Sequence, residues 1–79
     1  MTSLRRVTGW RLSPRNITVV DDATDRDGLY AKGYWREVDG KLRVVGLRIG
    51  HDENRIVAYY GDTVTRRADG TYSVHPRTA

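Results

Sequence analysis

Cations and tyrosines crowd around one tight-turn signal, Asp39-Gly40, in the stretch GYWREVDGKLRVVGLRIG that runs from Gly33 to Gly50. Asp-Gly between two strand-like runs is a strong hairpin signal, because both central residues of a type I′ turn need positive φ. Counting outward from a two-residue turn pairs Val38 with Lys41, Arg36 with Arg43, Trp35 with Val44, Tyr34 with Val45 and Gly33 with Gly46. Arg36, Arg43 and Lys41 then share a face with Tyr34, with Lys32 one step beyond and Tyr30 at the far end. Like charges placed directly opposite one another are destabilising, so a phosphate or an acidic partner surface would offset them. Tyrosines interleaved with cations suit a single-stranded nucleic acid, whose bases stack on the rings while the cations follow its backbone. The candidate binding residues are therefore Lys32, Tyr34, Arg36, Lys41, Arg43 and Tyr30, for nucleic acid or a protein partner. The competing reading is a hairpin tip kept polar for solubility, with Glu37 and Asp39 relieving part of the repulsion.

The other chemistry-bearing residues make weaker patterns. Arg66-Arg67 and Arg5-Arg6 are adjacent on strand-like segments, so each pair splits between two faces and reads as solvated charge. The acidic run Asp21–Gly28 approaches a calcium-loop pattern but puts Ala23 at the first ligand position and Tyr34 where a bidentate glutamate belongs. His51 and His75 would be the acid and base of a small ribonuclease, the lowest-ranked reading, since nothing in their spacing supports it. No Ser-His-Asp set, phosphate loop or zinc spacing is present. With two histidines and no cysteine, the chain offers neither a three-histidine site nor a thiolate site. The expectation is a non-enzymatic protein with no catalytic residues, metal or cofactor.

The elements that must position the cations read as strands. Leu4 to Leu12 and Asn16 to Val20 flank Ser13-Pro14-Arg15-Asn16, where proline favours a turn. Residues 21–28 form an exposed acidic loop. Leu29 to Val38, Lys41 to Gly50 and Arg55 to Tyr60 make a three-stranded meander. Its second turn is His51 to Asn54, and it sets Ile49 against Ile56, Leu47 against Ala58 and Gly46 against Tyr59. A last hairpin, Thr63 to Ala68 with Thr71 to Val74, turns at Asp69-Gly70, and residues 75–79 form a flexible C-terminal tail. In strict alternation the meander is apolar on both faces: Leu47, Val45 and Ile49 on one, Trp35, Leu42 and Val44 on the other. A sheet bent at facing glycines, Gly33 and Gly46, would bury both. The fold class expected is all-β with little or no helix, a single small, strongly bent antiparallel barrel or roll, similar in style to SH3-like and OB-like folds. Trp10 and Trp35 read as core, and either one found exposed would mark an interface.

Seventy-nine residues bound the molecule to one small domain with a barely adequate core. A net charge of +4 and a pI near 9.9 favour a polyanionic partner. Twelve of the fourteen cations are arginine, however, which a GC-rich genome also produces. No apolar run is long enough to cross a bilayer and no signal-peptide pattern is present, so a cytoplasmic location without a membrane is expected. Two function classes follow. One is a binding module for nucleic acid. The other is a small protein-interaction module, in the style of a phage or actinobacterial accessory protein. It would act as a regulator, an inhibitor or an assembly subunit docked on a larger host protein. Self-association as a homo-oligomer is a further way to cover apolar faces.

Overall fold

In a computed structural model, residues 7–78 form two three-stranded antiparallel sheets and one helix. The elements are β1 (Thr8–Arg11), α1 (Ile17–Arg26), β2 (Ala31–Val38), β3 (Lys41–Ile49), β4 (Ile56–Tyr59), β5 (Thr63–Arg66) and β6 (Tyr72–His75), with a single 3-10 turn at Asp52–Asn54. The strand orders are β1-β5-β6 and β2-β3-β4. Among the described residues no ladder joins the two sheets, so the expected bent barrel or roll is not a closed barrel but two sheets packed around a shared core.

The main departure from an all-β reading is α1. Its β-branched start, Ile17-Thr18-Val19-Val20, favours a strand, yet both ends of the segment specify a helix. Ser13 accepts backbone bonds from Asn16 N (3.2 Å) and Ile17 N (3.1 Å), and its Oγ accepts Arg15 N at 3.2 Å. Pro14 is the second residue of the Ser13–Asn16 turn that leads into the helix, where its fixed φ is favoured. At the other end Gly28, at φ +75°, ends the helix. Gly28 N donates to Asp25 O (3.0 Å) and Leu29 N to Thr24 O (2.9 Å), the paired bonds of a Schellman motif. Val20, Ala23 and Thr24 make the buried stripe, and the buried Thr24 hydroxyl donates to Asp21 O at 2.7 Å. The hairpin expected across residues 13–16 is therefore absent, and the expected exposed acidic loop is helical as far as Arg26. Leu4, Arg5 and Arg6 lie outside the described residues. β1 pairs instead with β5, far along the chain, setting Trp10 against Val64.

In the meander the turn at Asp39-Gly40 and the pairs Val38–Lys41, Arg36–Arg43 and Trp35–Val44 form as expected. Beyond them the register changes. Tyr34 pairs with Gly46 and Gly33 with Leu47, because Val45 is an extra residue, a β-bulge. The two glycines do not face each other. A bulge advances one strand by one residue and so switches which of its side chains face which way. That switch resolves the apolar-on-both-faces pattern. Leu42 and Val44 join Leu47, Ile49, Ile56 and Ala58 on the inner face, and the cations are left on the outer one. The bulge needs Gly46. A Cβ there would overlap the Ala58 carbonyl oxygen and lie 2.9 Å from both Ala58 C and Tyr59 Cα. At Gly33 the nearest atoms, from Trp35 and Val44, are no closer than 3.7 Å.

The chain turns from one sheet to the other at Gly61, which has φ +98°. Gly61 N donates to Leu12 O and Leu12 N to Asp62 O, both at 2.8 Å, while Tyr60 N reaches back to Val45 O at 2.9 Å. Asp62 is buried at this corner and accepts from Tyr59 N (2.9 Å) and Arg77 N (3.1 Å). Leu12, Val20, Leu47, Ile49, Ala58 and Val64 form the core, and Trp10, Ile17, Ile56, Tyr60, Tyr72 and Val74 pack against it. The last hairpin closes through Ala68-Asp69-Gly70. Arg67 N donates to Thr71 O, so Arg66 pairs with Tyr72, one residue out of the two-residue-turn register.

Arg66 is not the solvated charge its position suggested. It grips Asp27 with two bonds, Nε to Oδ2 at 2.7 Å and Nη2 to Oδ1 at 2.8 Å, and Tyr72 OH donates to the same Oδ2 at 2.6 Å. This ties the end of α1 to the β5–β6 hairpin. The guanidinium and then the phenol hold the Asp27 carboxyl well below the usual carboxylate range. Burial, followed by the bond to Asp27, pushes the Tyr72 phenol up to about 12.

Candidate nucleic-acid interface

Two-residue alternation along β2, β3 and β4 gives the outer face of this sheet a layered order. The first row is Lys32, Arg48 and Val57. The second is Tyr34, Gly46 and Tyr59, the third Arg36 with Arg43, and the last Val38 with Lys41. Five cations therefore stand around one aromatic row, and none of these outward positions is acidic. Lys32 and Arg36 lie four residues apart, about 13 Å along the strand.

The aromatic row depends on the same glycine as the bulge. Gly46 has no side chain, so Tyr34 and Tyr59 lean together over it and meet edge to face with centroids 5.7 Å apart. Arg36 lies over Tyr59 with its guanidinium carbon 5.6 Å from the ring centroid, a cation–π contact that fixes its direction. The one ion pair among the described residues joins Asp27 to Arg66, which leaves all five cations of this face without a carboxylate. Arg48 Nε is buried with no hydrogen-bond partner. Arg36 and Arg43, directly opposite, keep a like-charge repulsion that no ion pair among the described residues neutralises.

Of the candidate residues read from the sequence, Lys32, Tyr34, Arg36, Lys41 and Arg43 share this face. Tyr30 stands apart, before the strand begins. Its ring stacks on His51 with centroids 4.7 Å apart and planes 18° from parallel. Tyr59 and Arg48 are the members the sequence pattern missed. The pairing of Gly46 with Tyr59 was legible, but without the bulge Tyr59 falls on the opposite face from Tyr34. His75 pairs with Thr63 in the other sheet, and no hydrogen bond or ring contact links it to His51. Among the described residues no group of three histidine or acidic side chains is placed to hold a metal. No described helix is long and apolar enough to cross a membrane.

Trp35 was expected in the core but is 56% exposed, and Leu42, on the same inner face, is 71% exposed. All nine residues from Trp35 to Arg43 are exposed, so the end of the β2–β3 hairpin is an arm projecting past the core. Compared with known protein families, curated proteins and solved structures, the chain matches none.

Proposed function

We propose that the protein is a non-enzymatic binding module that holds single-stranded nucleic acid on the outer face of β2, β3 and β4. The observation that carries this reading is the row order itself: an aromatic pair flanked on both sides by cross-strand cation pairs lacking carboxylate partners. Bases stack on the exposed parts of Tyr34 and Tyr59. Phosphates lie over Lys32 and Arg48 on one side and over Arg36, Arg43 and Lys41 on the other. Such binding tolerates many sequences, because every base offers a π-face.

The test is fluorescence anisotropy of a labelled oligothymidylate across a salt series. Five phosphates neutralised on a single strand give a slope of log K against log salt near about −3.5. Arg36→Ala with Arg43→Ala should abolish detectable binding at moderate salt and, where low salt restores it, reduce the slope by about 1.4. Both residues are exposed, so the melting temperature should hold within about 4 °C. Equal affinity of the double variant and the parent would refute the reading.

A protein-interaction module is the second reading, favoured by one observation: the exposed Trp35 and Leu42 on the arm's other face.

A further inference from the structure

The exposed apolar side of the arm continues into a groove of about 240 Å³ between α1 and the inner face of β2 and β3. Gly33, Val44 and Leu47 line its floor, while Ile17, Thr18 and Asp21 line the helix wall. Trp35 leans over the floor, with its indole nitrogen 3.7 Å from where a Cβ on Gly33 would be. Leu42 extends the apolar track toward the tip, where Glu37 pairs with it on the same face.

Asp21 is the acidic residue of the helix wall, and Asp25, one helical turn on, and the adjacent Asp22 stand close enough to act on its carboxyl. Partial desolvation raises the Asp21 carboxyl above its ordinary value although its outer surface stays exposed, and repulsion from Asp22 and then Asp25 acts in the same direction. None of these three carboxylates has an ion-pair partner among the described residues. The groove therefore combines an exposed tryptophan and leucine with the Asp21 carboxylate on its helix wall, two further aspartates close behind it and a glutamate at the tip. Its charge is opposite to that of the cationic face on the other side of the same two strands.

We infer that this groove is a second binding surface, which takes an apolar segment of a partner protein flanked by lysine or arginine. Its apolar side chains cover Trp35, Leu42 and Val44, and its cations face Asp21, Asp25 and Glu37. The two faces of the arm thus recognise opposite chemistries, one anionic and one cationic with apolar content. Burial of an aromatic anchor together with complementary charge is the usual source of affinity and register at such sites. The inference does not depend on the nucleic-acid reading, because the two surfaces share no residue.

The experiment titrates the full chain, labelled with nitrogen-15, with three synthetic peptides of one length: amphipathic leucine/lysine and leucine/glutamate, and all-polar serine/lysine. The leucine/lysine peptide should shift the amides of Thr18, Asp21, Gly33 and Val44. Leu42→Ser, at a side chain already in water, and the pair Asp21→Asn with Asp25→Asn should each weaken it by about tenfold, the loss expected when a central contact is removed. Neither change should alter oligonucleotide affinity. Three results would overturn the inference. One is equal binding of the leucine/glutamate or serine/lysine peptide. Another is leucine/lysine binding that shifts other residues or ignores both variants. The third is a concentration-dependent dimer of the free protein, seen by sedimentation and lost in Leu42→Ser, which would assign the face to a second copy of this chain.

Discussion

Substituting alanine at Gly46 tests the bulge on which the sorting of side chains depends. The added Cβ would overlap the Ala58 carbonyl oxygen and lie 2.9 Å from Ala58 C and Tyr59 Cα, all of them backbone atoms of the paired strand. No side-chain rotation relieves such a clash. β4 has to move away, which disturbs the Gly46–Tyr59 pairing, the 2.9 Å bond from Tyr60 N to Val45 O and the fully buried Ala58. Overpacking of this kind costs about 3 kcal/mol, the upper end of the usual range, since rigid backbone must shift. A domain of this length has a total stability of about 4–12 kcal/mol. The expected fall in melting temperature is about 12–24 °C at 4–8 °C per kcal/mol. Gly33→Ala is the control. Its Cβ would meet Trp35 and Val44 at ordinary contact distances of 3.7 and 3.8 Å. It should change stability by no more than about 0.5 kcal/mol. Circular dichroism melts and urea titrations of both variants decide the matter. Equal effects, or a Gly46→Ala protein that melts with the parent, would refute the bulged register and the close approach of β4.

Three further outcomes follow. Because the folded Asp27 carboxyl titrates well below its unfolded value of about 3.9, its stabilisation is complete above about pH 5 and drains away as pH falls through that value toward the lowered one. Asp27→Asn should therefore lower the melting temperature at neutral pH and flatten the acid limb of a stability–pH curve. Tyr72 titrates near 12 in the folded state, above the unfolded value of about 10. Its contribution is constant below about pH 10 and lost as pH rises from there to 12, so Tyr72→Phe should reduce that alkaline loss in urea melts at several pH values. Trp35, at 56% exposure, should dominate iodide quenching of the native fluorescence, and Trp35→Phe should leave only the weak quenching of the half-buried Trp10.

The parts of the fold that were legible are those decided by local chemistry. Asp39-Gly40 set the β2–β3 turn, and alternation across His51 to Asn54 placed Ile49 against Ile56 and Leu47 against Ala58. Residues 17–20 misled because β-branched propensity is a weak preference. Ser13-Pro14 at one end and Gly28 at the other overrode it, together with the burial of Val20 and Ala23. The pairing of β1 with β5 has no local signature. Neither has a bulge, which arises where β4 passes over Gly46. Missing that one residue still left Arg36 opposite Arg43, because the bulge lies on the far side of that pair from the turn. It did misplace Tyr59 and Arg48, which alternation without the bulge puts on the opposite face from Tyr34. Trp35 pairs with Val44 as expected and is exposed because the arm projects past the core. Asp69-Gly70 signalled a turn correctly, but the three-residue loop shifted the partners and hid the pairing of Arg66 with Tyr72 that brings both to Asp27.

The most direct test of the proposed role is an NMR titration of the whole chain, labelled with nitrogen-15 and carbon-13, with oligothymidylate at low salt, following the arginine Nε–Hε groups, the tyrosine rings and the methyl groups. The expected result is movement of Arg36, Arg43 and Arg48 with Tyr34 and Tyr59, while the Trp35 indole and the Leu42 and Val44 methyls stay still. Shifts centred on the Trp35 side, or no shifts at all, would contradict it.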